Sequence, residues 1–430
     1  MGRWACYWFV LLPELKTPIP GPRSLALAER LRAHESRNVT FTSPEFPIFW
    51  ERAEGTNVWD SDGNRFVDLT SAFAVAGLGH GNADLRGAMH AQVDTLVHGM
   101  GDVHPTELKV QLCERLSELT YERWGLGDAK TVLCNSGFEA VEAALKTALL
   151  RSGKPGVLSF TGGYHGLGYG TLMAGAFDKF REPFARQLAD LGTVVPLDLA
   201  AAESALAAGE IGAILIEPIQ GRGGKIVPPD GFLQGLRDLA DQHGALLIFD
   251  EIYTGLNRTG KLFACEHWGV YPDLICVGKA LTGGFPLSAC IGAAEVMDAW
   301  PPSTGEAIHT STFLGNPLGC RMALESLAIH ERPETAAGVV ERGQRLSERL
   351  RAATGAEVRG LGLMLGLEVG AGNGAAMMLS ALRDGIVLLA DGPVGEILSF
   401  SPPFAISNEE IDFVVARVQE YFTSLPGSSS

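Results

Sequence analysis

The sequence predicts an α/β protein with a mainly parallel central sheet and a smaller α+β domain that is built from both termini. From about residue 130 to residue 291, short apolar runs alternate with helical patterns, which is typical of a parallel sheet covered on both faces. After Asn316-Pro317 the pattern changes to two longer helices, short strands and a closing helix. This change indicates a second domain.

The elements of both domains can be placed from these patterns. The strands of the central sheet are predicted at residues 131–134, 156–160, 213–216, 245–249, 274–277 and 287–291. Helices are predicted at residues 138–150, 231–243, 318–330, 335–353 and 409–422, and short strands near Val358 and Ile386. We therefore expect a large domain at residues 76–315 and a small domain at residues 1–75 and 316–430.

The extreme N-terminus carries Arg3 followed by an apolar stretch at residues 4–12. This stretch is far shorter than the roughly 20 apolar residues that span a bilayer, and no small-residue cleavage site follows it. We interpret it as an extension ahead of the folded region. Low-complexity sequence is limited to residues 427–430.

Composition narrows the classes of partner and compartment. A net charge of −16 opposes binding to nucleic acid, because phosphate backbones require clustered Lys and Arg. The seven cysteines contain no CxxC pair and mostly sit in apolar runs, so we expect a reducing compartment, the cytoplasm. The ten histidines show no HExxH motif and no zinc spacing, so we expect no catalytic metal. We also expect no membrane association, because the apolar stretch at residues 4–12 is too short to span a bilayer.

Polar residues follow four of the predicted strands at the point where each strand ends. Because ligands in open α/β sheets bind beyond the carboxyl ends of the strands, we expect these residues to share one edge of the sheet. The four clusters are Asn135-Ser136-Gly137, Glu217-Pro218, Asp250-Glu251 and Gly278-Lys279.

Two of these clusters suggest the recognition of a phosphate and of a cation. Ser136 and Gly137 stand at the start of a helix, where backbone N–H groups bind anions, although Ser136 could simply be an N-cap. Asp250 follows a nearly continuous apolar run, and a buried carboxylate requires a cation such as a protonated pyridine nitrogen. The alternative for Asp250 is an ordinary turn or helix cap.

The remaining candidates are a lysine and an aromatic ring. Lys279 lies between an apolar strand and a glycine turn, although most lysines are solvated surface charges. Tyr164 lies on a glycine-rich loop after the strand at 156–160 and could equally be a core aromatic. A phosphate site, an aromatic face, a carboxylate and a lysine are together what an aldehyde-bearing phosphopyridine requires.

Further motifs extend this pattern over nearly the whole chain. They are Leu78-Gly79-His80-Gly81, Asn135-Ser136-Gly137-Phe138-Glu139-Ala140, Tyr164-His165-Gly166, Glu217-Pro218-Ile219-Gln220-Gly221, Asp250-Glu251-Ile252 with Thr254-Gly255, Arg258-Thr259-Gly260, Lys279, and Ser311-Thr312-Phe313 with Gly315-Asn316-Pro317. With these motifs the sequence resembles the class III (ω-type) aminotransferases, which are pyridoxal-5′-phosphate (PLP) enzymes of fold type I.

The resemblance implies a role for each matching residue. Lys279 would carry PLP as a Schiff base, Asp250 would pair with the ring nitrogen, and Tyr164 would stack on the ring. Thr312 would reach the phosphate of a neighbouring subunit, so a homodimer is expected. The implied cofactor-binding residues are Ser136, Gly137, Phe138, Tyr164, His165, Glu217, Asp250, Ile252, Tyr253, Lys279, Ser311 and Thr312.

The activity implied by the resemblance is PLP-dependent transamination. An amino group would pass from an amine or amino acid donor to a keto acid or aldehyde acceptor, through the Lys279 Schiff base and pyridoxamine phosphate. An amino acid racemase, epimerase or aminomutase of the same fold shares the Asp250 and Lys279 chemistry and remains the alternative. A non-catalytic PLP-binding protein is a third reading, although no nucleic-acid-binding module is appended.

Three positions depart from the family pattern. Arg222 follows the Glu217-Pro218-Ile219-Gln220-Gly221 motif where many relatives have a glutamate. Ser399 and its neighbours occupy the late strand in which many relatives have a carboxylate-binding arginine, and Tyr253 replaces a glutamine or small residue. We expect Arg222 to bind a substrate carboxylate, with a solvated loop arginine as the alternative.

Overall fold

The structure, a computed structural model, describes residues 11–424. The apolar stretch at residues 4–12 therefore lies almost entirely outside the described residues, as does the tail at 427–430. The chain divides into a smaller unit, Met1–Asn82 with Gly338–Ser430, and a larger unit, Ala83–Ala337.

The strands are, in chain order, β1 Trp50–Glu54, β2 Asn57–Asp60, β3 Arg65–Asp68, β4 Ala129–Cys134, β5 Gly156–Phe160, β6 Gly192–Val195, β7 Ile211–Ile216, β8 Leu246–Asp250, β9 Leu274–Val277, β10 Ser288–Ala293, β11 Val358–Leu361, β12 Met364–Glu368, β13 Ile386–Val387, β14 Leu389–Asp391 and β15 Ile397–Phe400. The helices are α1 Pro22–His34, α2 Ser71–Ala74, α3 Ala83–Val93, α4 Glu107–Ser117, α5 Gly137–Ser152, α6 Tyr169–Met173, α7 Asp178–Arg181, α8 Leu199–Leu206, α9 Phe232–His243, α10 Ala294–Met297, α11 Pro317–His330, α12 Pro333–Thr354, α13 Asn373–Arg383 and α14 Asn408–Thr423. The chain also contains short 3-10 turns at Glu182–Gln187, Ala264–His267 and Lys279–Leu281.

The larger unit is built on a seven-stranded sheet in the order β4-β10-β9-β8-β7-β5-β6. Strands β5 to β9 pair in parallel, and β10 runs antiparallel to both β4 and β9. The mainly parallel α/β fold predicted from the sequence is confirmed. Every predicted strand of this sheet is present, whereas β6, a half-buried edge strand of four residues, was missed.

The central sheet is buried on both faces. Along β8, Leu247 and Phe249 enter one apolar cluster, while Leu246 and Ile248 enter another. Because side chains alternate along a strand, the two clusters lie on opposite faces of the sheet. The apolar runs that predicted the strands are thus explained by double-sided burial.

The observed bounds of the two units differ from the predicted domain bounds at residues 75 and 315. Helix α11 begins the segment that the sequence assigned to the small domain. In the structure, its Cys320, Ala323 and Leu327 are buried in a core of the larger unit. The contact pattern therefore places α11 in the larger unit, and the second segment of the smaller unit starts at Gly338.

The smaller unit is an α+β structure with two four-stranded sheets, β1-β2-β3-β13 and β11-β12-β15-β14. Its apolar core includes Leu346 of α12, Met377 of α13, Phe400 of β15 and Val414 of α14. The predicted helices at 335–353 and 409–422 correspond to α12 and α14. Within residues 11–424, no helix combines the length and the apolar character that crossing a membrane requires.

Candidate active site

Five strands of the larger unit lead into the residues that the sequence singled out. Strand β4 is followed by Ser136, β5 by Tyr164 and β7 by Glu217, whereas β8 ends at Asp250 and β9 is followed by Lys279. Because these strands point in one direction, the five residues lie along the carboxyl edge of a single sheet.

The N-terminus of α5 offers an anion-binding site. The backbone N–H groups of Asn135 and Ser136 donate to Glu139 Oε2 at 2.7 and 3.1 Å, which fixes the entry into the helix. The Ser136 hydroxyl oxygen is buried and has no hydrogen-bond partner. A Cβ at Gly137 would lie 2.9 Å from Ile252 Cδ1, so only glycine fits here without displacing Ile252. An unsatisfied hydroxyl beside free helix N–H groups fits a phosphate.

Asp250 is buried and is held by His165. His165 Nδ1 donates to Asp250 Oδ2 at 2.8 Å, and the backbone N–H of Ile252 donates to Asp250 Oδ1 at 3.2 Å. Burial opposes the charged imidazole, but the hydrogen bond and charge of Asp250, helped by Glu217, raise the pKa of His165 overall. The pair therefore presents a fixed carboxylate to a cation at the strand end.

Glu217 fastens two loops of the site to each other. Its Oε2 accepts the backbone N–H of Tyr164 at 3.0 Å, and its Oε1 accepts that of Gly221 at 2.9 Å. Burial raises the pKa of Glu217 to about 7, while His165 and the two N–H groups act in the opposite direction. Both carboxylate oxygens are engaged by the backbone, so Glu217 determines where the loops after β5 and β7 lie.

Lys279 projects toward an aromatic ring from a strained backbone position. Its φ of 43° lies in the left-handed region that L-residues with a Cβ disfavour. Its Nζ lies 5.0 Å from the centroid of the Tyr253 ring, and the buried Lys225 Nζ lies 4.7 Å from the same ring. Burial lowers the pKa of Lys279, and Lys225 adds to this, whereas Asp250, Tyr253 and Glu217 oppose it. Burial outweighs the opposing groups, so the pKa of Lys279 lies below that of an ordinary lysine.

Arg222 contacts the ring of Tyr164 and also the ring of Phe180, a residue that the sequence did not indicate. The Arg222 guanidinium carbon lies 5.2 Å from the Tyr164 ring centroid and 5.1 Å from that of Phe180. The two rings are 5.9 Å apart and nearly perpendicular, at 64°. Arg222 is exposed, but it lies against the aromatic residue that the sequence assigned to the site.

Ser311 and Phe138 lie near the start of α5. Asn135 Nδ2 donates to Ser311 Oγ at 2.9 Å, so the loop that carries Ser311 reaches the start of α5. Thr312 is exposed. Phe138 packs against the loop after Tyr164, because a Cβ at Gly166 would lie 2.4 Å from Phe138 Cβ.

Two further arginines differ in whether carboxylates of the protein already bind them. Arg359 is paired with Glu357 at 3.1 Å and with Glu368 at 2.6 Å. Arg181 is half-buried, and its Nε has no hydrogen-bond partner. Ser399, in β15 of the smaller unit, is buried.

The residues of this edge fit a phosphopyridine aldehyde. The buried Ser136 hydroxyl and the side-chain-free Gly137 suit its phosphate, Asp250 suits a protonated ring nitrogen, and the Lys279 amine suits the aldehyde. Among the described residues, no cluster of three or more His, Cys, Asp or Glu side chains is arranged to hold a metal ion.

Sequence reasoning missed Phe180 and Lys225. Phe180 lies in the short helix α7, where no periodicity or motif draws attention to it. Lys225 follows the two glycines after Arg222. It was missed because the sequence does not show that this lysine is completely buried.

Comparison with known proteins agrees with this geometry. Residues 39–422 match the family model described as aminotransferase class-III. The acetylornithine aminotransferase of Methanopyrus kandleri is 36% identical over 385 residues, which cover 88% of this chain and 95% of that protein. The 4-aminobutyrate aminotransferase of Mycobacterium leprae is 36% identical over 436 residues, covering 92% and 95%.

Solved structures show the same architecture. An ornithine aminotransferase from Toxoplasma gondii superposes with a TM-score of 0.84 at 28% identity and covers 93% of this chain and 94% of that one. That structure is described as having PLP in partial occupancy at its active site.

The lowered pKa of Lys279 predicts that it reacts with acylating reagents at lower pH than other lysines of the apoprotein. Only the free amine is nucleophilic, so a lowered pKa moves the onset of reaction toward neutral pH. Competitive labelling with trace acetic anhydride between pH 6 and 11, followed by peptide mass spectrometry, measures this onset. The exposed Lys261 in the same digest serves as the reference. Equal onsets for the two lysines would contradict the prediction.

Proposed function

The chain belongs to the class III aminotransferases, which transfer amino groups with PLP, and from this premise we propose that the carboxyl edge of the larger unit's sheet binds the cofactor, with Lys279 as the covalent anchor. One observation carries the proposal: a fixed, buried carboxylate, Asp250, ends β8, and the amine of lowered pKa, Lys279, follows the neighbouring strand β9. These groups suit opposite ends of a pyridine aldehyde.

The phosphate and ring contacts follow from the same edge. The unsatisfied Ser136 hydroxyl would donate to the phosphate, and the backbone N–H groups of Gly137 and Phe138 would complete the phosphate site. Tyr164 would present its face to the pyridine ring. Ile252 lies against both Gly137 and Gly278, which supports a place beside the cofactor.

Asp250 would hold the ring nitrogen in its protonated form, and His165 keeps Asp250 in position. The hydrogen bond of 2.8 Å between them and the backbone bond from Ile252 leave the carboxylate little freedom. Glu217 contributes indirectly, because it fixes the backbone at Tyr164 and Gly221. The Tyr253 ring contacts the Lys279 amine and so helps to orient the lysine side chain.

When bound, PLP supplies an electron sink for the bond that breaks at the substrate carbon. The protein supplies the base. Lys279 would act as the base that removes a proton from the substrate carbon, because burial lowers the pKa of its amine and so favours proton acceptance nearer neutral pH than for an ordinary lysine. The reaction moves an amino group from an amine or amino acid to a keto acid or aldehyde.

Arg222 is proposed to bind a substrate carboxylate. Its guanidinium lies against Tyr164 and is exposed, so its N–H groups can reach a ligand in the site. The two relatives are named for acetylornithine and 4-aminobutyrate, both of which carry a carboxylate. A planar fork suits this group better than a point charge.

The enzyme is further proposed to be a homodimer in which Thr312 reaches the partner's phosphate site. Residues around the loop that carries Thr312 expose large apolar side chains, among them Met100 at 54%, Val103 at 58%, Ile308 at 69% and Phe313 at 58%. The His98 and Phe313 rings are 5.2 Å apart, so these segments form one surface. Clustered exposed apolar residues mark interaction sites.

We place the enzyme in the cytoplasm. The support is that the six cysteines of the described residues are free thiols, and five of them are buried in the larger unit. Such thiols suit a reducing compartment.

The first prediction concerns the covalent anchor. Lys279→Ala should abolish turnover while the protein stays folded, because it removes the reactive amine with its stem and introduces no new group into the buried strand end. Borohydride reduction of the wild-type holoenzyme, followed by peptide mapping, should place the pyridoxyl group on Lys279. Lys225→Met serves as the control for a second lysine near Tyr253 and should retain the label at Lys279. A pyridoxyl group found on any other residue would refute the assignment.

The second prediction concerns the dimer. Phe313→Arg should convert the dimer to monomers and lower the retention of PLP, because it places a charge in the apolar surface and displaces Thr312. Sedimentation velocity over a concentration series measures the dissociation of the dimer. Cofactor absorbance after gel filtration measures the retention of PLP. Leu126→Arg, at a residue 49% exposed elsewhere on the unit, is the matched control. A fully active, PLP-retaining monomer would exclude the shared site.

The third prediction concerns Arg222. Arg222→Ala should raise KM for a carboxylate-bearing substrate by about 2 kcal/mol equivalent, roughly thirtyfold, and leave simple amines nearly unchanged. Arg222→Lys should restore only part of this loss. The exposed Arg186→Ala serves as the control. Unchanged kinetics for both substrate classes in Arg222→Ala would show that Arg222 does not bind the substrate carboxylate. Arg181 would then be the next residue to test.

A further inference from the structure

We propose that Phe180 is a positioning residue that orients Arg222 toward the substrate carboxylate and thereby determines specificity for carboxylate-bearing substrates. The inference rests on the proposed role of Arg222 and adds a residue to it. Neither the sequence motifs nor the comparisons point to Phe180.

The geometry places the guanidinium against two aromatic rings at once. Its central carbon is almost equally distant from the centroids of Tyr164, 5.2 Å, and Phe180, 5.1 Å. The two rings meet at 64°, so they contact the guanidinium from different directions. An exposed arginine otherwise samples many rotamers, and two ring contacts restrict them. Phe180 therefore adds a second ring contact to the one that Tyr164 makes.

Ring contacts also leave the guanidinium edge available to a ligand. A carboxylate partner would occupy the N–H fork, whereas a π face attracts the cation without accepting those hydrogen bonds in the plane. Among the ion pairs of the described residues, none engages Arg222. The arrangement therefore holds the charge in place while its donors can still bind a substrate carboxylate.

Phe180 is itself held by its neighbours in the segment that carries it. The Phe177 ring is 6.2 Å away at 67°, and Lys179 Nζ lies 5.2 Å from the Phe180 ring and 5.6 Å from the Phe177 ring. Farther along, the Tyr169 hydroxyl donates to Gln187 Oε1, which ties the following 3-10 turn to α6. The half-buried Phe180 therefore has a defined position from which it can orient Arg222.

Charged residues of both signs surround Phe180. Lys179 and Arg181 flank Phe180 in α7, and Arg222 lies against its ring. The acidic neighbours in the segment are Asp178 and Glu182, both exposed, and Glu217 is buried with its oxygens on backbone N–H groups. The charges of α7 and its flanks therefore nearly balance, and the group that can attract a substrate carboxylate at this point is the Arg222 guanidinium held against the ring.

The test is a set of holoenzyme variants assayed with two donors that differ only in a carboxylate. The donors are the best carboxylate-bearing amine from a donor screen and the same chain without the carboxylate. Phe180→Leu should raise KM for the carboxylate donor about fivefold with kcat nearly unchanged, and leave the simple amine unaffected. Phe180→Tyr, which keeps the ring, should restore KM. Phe184→Leu, an exposed phenylalanine in the following 3-10 turn, is the matched control.

A double-variant cycle separates this inference from the role of Arg222. If Phe180 acts through Arg222, Phe180→Leu should add nothing to the effect of Arg222→Ala. Calorimetric titration with glutarate, a dicarboxylate without an amino or keto group, should show the same non-additivity in binding. If Arg222→Ala changes neither KM nor glutarate binding, the proposed role of Arg222 fails. If it changes both but Phe180→Leu changes neither, or raises KM equally for both donors, only the role of Phe180 is overturned.

Discussion

The site depends on the burial of one carboxylate, Asp250, at the end of a central strand. A charge in this position is stable only when its oxygens are engaged, and His165 and the backbone at Ile252 engage them. His165 belongs to the loop after β5. Glu217, at the end of β7, fixes this loop by accepting the backbone N–H of Tyr164. Three strand ends are therefore fixed relative to one another by a short chain of contacts, and the positions of Tyr164, Gly221 and Arg222 follow from it.

The residues of the site fall into two groups that differ in how firmly the fold holds them. Ser136, Asp250 and Lys279 stand directly at helix or strand ends of a sheet buried on both faces. Arg222 and Thr312 stand on loops and are exposed. Rigid elements thus carry the groups proposed to bind the cofactor, and loops carry those proposed to contact substrates or a partner subunit.

The sequence predicted what depends on local pattern and missed what depends on packing. Apolar runs and the polar residues after them were enough to find β8, β9, Asp250 and Lys279, because a doubly buried strand has few polar positions. The edge strand β6 lacks that signal, since it is only half-buried. The placement of α11 with the larger unit, and the meeting of Phe180 with Arg222, depend on residues far apart in the chain, which periodicity does not encode.

The left-handed backbone at Lys279 has a consequence for the evolution and engineering of this enzyme. Any residue with a Cβ at φ 43° carries a penalty of about 1 to 2 kcal/mol that glycine would avoid. The residue that would best suit the fold is therefore one without an amine. If Lys279 is the proposed anchor, selection for thermal stability alone would work against it, and a stability–activity trade-off is built into this single position.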